Sequence, residues 1–192
     1  MQQWTYFPLL SLYVFVFFFT TKLFMIRKAL NMEMAVCAAH YLVWWPCMYH
    51  FLNMTALQVA GFYSTGYATQ GLYLGYVFSL NHFPMPVMHE REDIKMDWVS
   101  LQALTTRNME PHWFVTWFSG DLNYQIEHHL CPQMPPYRYH LVMKDVQKLL
   151  AKHNVEYDMK PIGEATVLSM RMLGEVAANR MRGIPDDRLH FD

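Results

Sequence analysis

The chain has 192 residues, 53% of them hydrophobic and 16% aromatic, and it carries a formal net charge of −1. A mean hydropathy of only +0.01 beside that apolar content indicates long apolar segments joined to a separate polar part. The charge balance argues against a nucleic-acid partner, because phosphate binding requires a clustered basic surface. The three cysteines are scattered without a CxxC pair and form no disulfide framework, whereas the ten histidines justify a search for metal-ligand spacing.

Three apolar segments fill the first part of the chain: residues 4–26, 35–52 and 56–80. Each approaches the roughly 20 residues that cross a ~30 Å hydrocarbon core, so we predict two to three integral membrane helices within residues 1–81. The number of crossings stays open, because the second segment is short and contains Pro46, which also suits a re-entrant or interfacial helix. In the third segment, Gly71 and Gly75 form a GxxxG pair that we interpret as a close helix contact.

The rest of the chain, residues 82–192, is polar and contains no further segment long and apolar enough to cross a membrane. A charged run at 89–95 marks the change of character. Apolar residues recur at helical spacing over 136–155, with lysines opposite, and a second helical pattern covers 164–181. The predicted fold is therefore mainly α, with membrane helices and a helical polar cap on one membrane face.

The motif with the clearest chemistry is the QIEHH run within this cap. We predict a short helix here, with Asp121 as its N-cap and Pro132 at its end. At about 100° per residue, such a helix directs three side chains into one arc of roughly 100°: Gln125, His128 and His129. Imidazole nitrogens and an amide oxygen without thiolates suit iron, zinc or manganese. Glu127 points elsewhere on this helix and is interpreted as a supporting or structural carboxylate.

The run WFSGDLNYQIEHHLCPQMP, residues 117–135, closely resembles the third histidine box of front-end fatty acid desaturases. In that family the box reads QxxHH, with glutamine in place of the first histidine of HxxHH. The resemblance extends to SLNH at the end of the third apolar segment, where the family has a further iron-binding histidine. It implies a metal-ligand set of His82, Gln125, His128 and His129, and no catalytic side chain beyond the metal site.

The resemblance also implies an activity and a cellular setting. Family members are oxygen-dependent di-iron enzymes that introduce a cis double bond into a fatty acyl chain, carried as acyl-CoA or in a phospholipid. Their electrons come from cytochrome b5 and its reductase. The expected location is the membrane of the endoplasmic reticulum, in contact with membrane lipid, with the cap of residues 82–192 facing the cytosol.

Several departures from the family pattern leave alternatives open. The two earlier histidine boxes and the cytochrome b5-like domain are not found in this sequence, and Cys131 stands where phenylalanine is usual. We therefore expect residues 1–192 to be the C-terminal part of a desaturase domain that holds about half of a metal site. The alternatives are an inactive membrane remnant that binds or regulates a desaturase, a related sphingolipid desaturase or hydroxylase, and a zinc-binding membrane receptor or hydrolase.

Overall fold

The computed structural model describes residues 5–12, 32–86 and 96–181, and within these ranges the chain is mainly helical, as predicted. Residues 5–12 are helical. The other helices are α1 (Met32–Phe51), α2 (Ala56–His82), α3 (Trp98–Leu104), α4 (Trp113–Ser119), α5 (Gln125–Leu130), a 3-10 turn (Pro136–Arg138), α6 (Tyr139–Lys152) and α7 (Ile162–Met181). Two short strands complete the set: β1 (Asn108–Met109) and β2 (Met159–Lys160). The predicted charged run at 89–95 and most of the first apolar segment lie outside the described residues.

The described residues form two compact units, the first made of residues up to Gly75 and the second beginning at Tyr76. In the first unit, α1 and most of α2 arise where the second and third apolar segments predict helices. Pro46 lies inside α1. A polar contact joins these two helices, because the hydroxyl groups of Tyr41 in α1 and Tyr67 in α2 are hydrogen-bonded to each other. Within the part of the chain that the structure describes, no helix is both long and apolar enough to cross a membrane.

The second unit packs its helices around two small apolar clusters. One contains Leu80, Met109, Val115 and Ala165, and the other contains Ala103, Ile126, Val146 and Leu150. The predicted amphipathic helix over 136–155 is confirmed as the 3-10 turn followed by α6, which buries Tyr139, Val146 and Leu150. The predicted helix over 164–181 is confirmed as α7. The second cluster contains Ile126 of the histidine-bearing helix α5, with Leu130 packed against it, so this helix is anchored in the apolar core.

A parallel pair of strands, absent from the sequence prediction, joins two segments of this unit that are about 50 residues apart in the chain. Asn108 is in register with Met159, and Met109 with Lys160. The residues that directly precede the two strands also contact each other, since Arg107 forms an ion pair with Asp158 at 2.6 Å. The strands thereby hold the segment before α4 against the segment between α6 and α7.

The turn before α5 differs from the prediction in one respect. Asp121 is not the N-cap of this helix, which begins at Gln125 and has Tyr124 as its N-cap residue. Gly120 and Asp121 both adopt left-handed backbone conformations, with φ of 60° and 64°, so they form the reversal after α4. A helix cannot begin inside such a reversal, since its residues require negative φ. The helix also ends at Leu130, before Pro132 is reached.

Candidate metal centre

Helix α5 is anchored at its first turn by polar groups from neighbouring segments. The backbone N–H of Ile126 donates to Asn108 Oδ1 at 2.7 Å, which satisfies one of the amide groups that a helix start leaves without an internal partner. The backbone N–H of Asn123 donates to Ser119 Oγ at 3.1 Å. The backbone N–H of Met109 in β1 donates to the carbonyl of Asn123 at 3.0 Å. The helix therefore starts at a fixed place relative to α4 and β1.

His82 and Gln125 meet at the start of α5, although they belong to different helices. The side-chain amide of Gln125 donates to Nε2 of His82, with the two nitrogens 3.0 Å apart. On its other side, Gln125 Oε1 accepts a hydrogen bond from Asn81 Nδ2 at 3.2 Å. Gln125 is buried, whereas His82 is half-buried. The glutamine is thus held between two adjacent residues at the end of α2.

The two histidines of the QIEHH run continue this group. The ring centroid of His129 is 5.2 Å from that of His82 and 5.7 Å from that of His128. The planes of His128 and His129 are almost perpendicular, at 84°. The structure therefore brings the four predicted residues into one continuous cluster, ordered Gln125, His82, His129 and His128.

Each of the two box histidines also contacts a side chain from another helix. His129 Nδ1 lies 2.7 Å from Gln102 Oε1 on α3, and His128 Nδ1 lies 3.0 Å from the hydroxyl of Tyr139 on α6. Neither partner is predicted by the sequence. Tyr139 was visible only as one apolar position of an amphipathic helix, and no motif singled out Gln102.

The electrostatics of the cluster favour neutral imidazoles. Burial lowers the pKa of His82 below its ordinary value, and the nearby His128 acts in the same direction. Burial, reinforced by His82 and His128, lowers the pKa of His129 to about 4. A neutral imidazole keeps one nitrogen lone pair free, which is the form that binds a metal ion. At neutral pH these two rings can therefore act as ligands without first losing a proton.

Glu127 faces away from the imidazoles, as the helical geometry of the sequence predicts. Its carboxylate is fully buried and accepts hydrogen bonds from Asn108 Nδ2 at 2.7 Å and from the Tyr157 hydroxyl at 2.8 Å. Asn108 Nδ2 also lies 2.6 Å from that hydroxyl. Because Asn108 accepts the Ile126 N–H as well, this three-residue network links α5 to β1 and to the segment that precedes β2.

The donor set fits a transition metal, although the residues are not arranged around one point. Across residues 5–12, 32–86 and 96–181, no three His, Cys, Asp or Glu side chains lie close enough to form a metal-binding group. The cluster nevertheless supplies imidazole nitrogen and amide oxygen, the chemistry that iron, zinc and manganese accept. Among the described residues, Asn81 Oδ1 is buried beside His82 without a hydrogen-bond partner, which leaves an acceptor available in the same place.

The histidine and glutamine side chains cluster where α2 meets α5. This arrangement in a helical unit places the protein among candidate metalloproteins. The comparisons with known proteins narrow this class. Residues 1–161 match the family model for fatty acid desaturase, so the chain belongs to the fatty acid desaturase family. This confirms the family resemblance drawn from the QIEHH run.

Individual relatives agree with this assignment. Fatty acid desaturase 3 of Homo sapiens is 45% identical over 98 residues, which are 51% of this chain and 21% of that protein. The acyl-lipid (8-3)-desaturase of Rebecca salina is 36% identical over 106 residues, 55% of this chain and 24% of that protein. The delta(5) fatty acid desaturase fat-4 of Caenorhabditis elegans is 36% identical over 96 residues, 50% of this chain and 22% of that protein.

The matched segment spans between 21% and 24% of the length of these curated relatives. No solved structure matches the chain.

Proposed function

We propose that the protein acts as a front-end, oxygen-dependent fatty acyl desaturase whose metal centre includes His82, Gln125, His128 and His129. The observation that carries this proposal is the continuous cluster that these four residues form, in a chain that belongs to the fatty acid desaturase family. The substrate would be a fatty acyl chain, carried as acyl-CoA or in a phospholipid. The product would contain one further cis double bond.

In this proposal the described residues provide part of a di-iron site. His82, His128 and His129 would bind iron through imidazole nitrogens, and Gln125 would contribute through its amide. When bound, the metal supplies the activation of dioxygen that removing hydrogen from an unactivated methylene group requires. Because four side chains are few for two iron ions, the remaining ligands would come from the two other histidine boxes of a complete desaturase.

The chain's own residues would hold and shield this centre. The Asn81 amide fixes the orientation of Gln125, and the buried Glu127 network fixes the start of α5. Burial of His82 and His129 keeps these rings neutral at physiological pH and limits the access of water. Residues 1–81 would lie in the membrane of the endoplasmic reticulum and admit the acyl chain. Residues 82–192 would face the cytosol and receive electrons from cytochrome b5 and its reductase.

Expression of the full-length transcript in yeast supplied with polyunsaturated fatty acids tests this function. New unsaturated products should appear with the natural sequence and disappear with His128→Ala or His129→Ala. The exposed His153 provides a matched control, since His153→Ala leaves the cluster intact. Unchanged products in the His128→Ala and His129→Ala variants would contradict the proposed site. Absence of products from every variant, with normal expression and iron content, would contradict the proposed reaction.

A further inference from the structure

The contact between His129 and Gln102 joins the box helix α5 to α3, which carries no part of the recognised motif. The distance between His129 Nδ1 and Gln102 Oε1 is 2.7 Å, a normal length for a hydrogen bond. Resting on the proposed metal-binding function, we propose that Gln102 is a positioning residue. It holds His129 in the tautomer whose Nε2 binds the metal.

The tautomer follows from the chemistry of the two atoms. An amide oxygen only accepts hydrogen bonds, so the proton between the two atoms must belong to Nδ1 of His129. A neutral imidazole has one N–H, and its other nitrogen carries the available lone pair. With Nδ1 occupied by Gln102, the lone pair of His129 is on Nε2. The same hydrogen bond fixes the rotation of the ring about its side chain.

The other two histidines of the cluster are arranged consistently. Gln125 donates its amide hydrogen to Nε2 of His82, so Nε2 is also the lone-pair nitrogen of that ring. In His128 the nitrogen that contacts the Tyr139 hydroxyl is Nδ1 and not Nε2. Nε2 is therefore the lone-pair atom on both His82 and His129, with that of His82 accepting the hydrogen bond from Gln125, and the contact of His128 is compatible with the same assignment. Gln102 differs from Tyr139 because a hydroxyl can donate as well as accept, whereas the amide oxygen determines the tautomer by itself.

Gln102 lies on a helix that is fixed relative to α5, so its contact can orient the ring of His129. The residue lies in the seven-residue helix α3, which is capped at its start by Asp97 and buries Ala103 against the same cluster as Ile126 of α5. The backbone around Gln102 is thus already fixed relative to α5. A side chain on such a rigid element can orient a ligand, and the loss of this kind of support typically lowers metal affinity by about 10- to 100-fold.

Two measurements test the assignment on the complete desaturase, expressed from the full-length transcript and purified in detergent. Selective ¹⁵N labelling of histidine gives the tautomer of each ring by NMR without any metal present. Titration with Co²⁺, followed by its visible absorption, gives the affinity of the site. The variants are Gln102→Leu, which removes the acceptor, and Gln102→Glu, which retains an oxygen acceptor at the same place. The matched control is Gln133→Leu, because Gln133 is an exposed glutamine outside the cluster.

We expect His129 to be protonated at Nδ1 in the natural sequence, in Gln102→Glu and in Gln133→Leu. In Gln102→Leu the ring should populate both tautomers, and the Co²⁺ dissociation constant should rise about 10- to 100-fold. A far-UV circular dichroism spectrum equal to that of the natural sequence shows that each variant is folded. Should Gln102→Leu lose its structure, the tautomer and the Co²⁺ affinity of Gln102→Glu decide the question.

The proposal is overturned should His129 be protonated at Nε2 in the natural sequence. It is equally overturned should Gln102→Leu preserve both tautomer and affinity, or should Gln102→Glu lose both in a folded protein. A correct tautomer that depends on Gln102, together with no Co²⁺ binding by the natural sequence, supports the role of Gln102 in orienting the ring. That combination contradicts the proposed metal function instead, so the two failures are distinguishable.

Discussion

The Nε2 atom of Gln125 lies 3.0 Å from the Nε2 atom of His82, so the first residue of the box helix contacts the last residue of α2. The same amide accepts a hydrogen bond from Asn81, the neighbour of His82. The glutamine that replaces a histidine in this type of box is therefore structurally connected to the fourth proposed ligand. Because Gln125 makes these contacts and His128 and His129 do not, its role can be tested separately from theirs.

The substitution Gln125→Leu tests the connection. Leucine is similar in volume but leaves His82 without its donor and Asn81 without one of its acceptors. On the proposed function, we expect Gln125→Leu in the complete enzyme to lower both the iron content and the desaturase activity strongly. We also expect the free energy of unfolding to fall by about 1–3 kcal/mol, the typical cost of unsatisfied buried polar groups. Metal analysis and denaturant unfolding check the two effects. Unchanged iron content in Gln125→Leu would remove Gln125 from the proposed site.

The hydroxyl of Tyr157 provides a test of the Glu127 network. It donates to the carboxylate of Glu127 at 2.8 Å, and the carboxylate is fully buried while Tyr157 is half-buried. The substitution Tyr157→Phe removes only this oxygen. We expect it to lower the free energy of unfolding by about 1–3 kcal/mol, because a buried carboxylate loses one of its donors. The exposed Tyr137 is the matched control, and Tyr137→Phe should be nearly neutral.

The stability difference between the natural sequence and Tyr157→Phe should depend on pH. Burial, with the adjacent charge of Glu127, raises the pKa of the Tyr157 hydroxyl above its ordinary value. A group whose pKa is raised by folding contributes stability that is fully present below its unfolded pKa, about 10 for tyrosine, and is lost as the pH rises beyond it. Denaturant unfolding at pH 8 and near pH 11 should therefore show a smaller difference at the higher pH. A difference that grows with pH would contradict the network.

The ion pair between Arg107 and Asp158 should stabilise the unit far more than an exposed pair does. Its side chains are only 9% and 15% exposed, compared with 78% for both members of the pair between Lys148 and Asp145. Removal of the first carboxylate by Asp158→Asn leaves a shielded guanidinium without its partner, at a cost of about 3 kcal/mol. The matched substitution Asp145→Asn should cost less than about 1 kcal/mol. Equal effects in denaturant unfolding would show that the strand pair does not depend on this contact.

The sequence predicts those parts of the molecule that have a local signal. Apolar length predicts α1 and α2, helical spacing predicts α6 and α7, and the positions of Gln125, His128 and His129 predict one side of a helix. The remaining features depend on contacts between distant residues. Asn108 and Met159 pair in strands of two residues each, which are too short to produce an alternating pattern. Local preference also misassigned Asp121, because an aspartate that suits an N-cap equally tolerates the left-handed turn after Gly120.

The same limitation applies to the supporting residues of the candidate site. Gln102 lies 27 positions from His129 along the chain, on a helix without recognisable chemistry of its own. Its side chain acquires a role only when α3 packs beside α5. Tyr139 is similar, since its apolar ring satisfies the amphipathic pattern of α6 while its hydroxyl contacts His128. The proposed ligands on α5 were predicted from their spacing and His82 from the family resemblance, whereas the side chains that contact them become apparent only in the packed structure.

The GxxxG glycines predict a close helix contact, and Gly75 allows this to be tested inside the first unit. A Cβ atom added at Gly75 would lie 1.4 Å from Cδ2 of Leu10, whereas one added at Gly66 would meet nothing within 4 Å. We therefore expect Gly75→Ala to be less stable than Gly66→Ala by about 1–3 kcal/mol, the usual cost of overpacking. Thermal unfolding followed by circular dichroism measures this difference.

The double variant Leu10→Ala with Gly75→Ala distinguishes overpacking from an effect of glycine itself. Truncation of Leu10 removes the atoms that the new methyl group would meet, so Gly75→Ala should cost much less in this background. The residual effect should approach that of Gly66→Ala, because alanine is favoured over glycine within a helix by about 1 kcal/mol. Should Gly75→Ala be equally costly with and without the Leu10 side chain, the contact between these two residues would not explain the requirement for glycine.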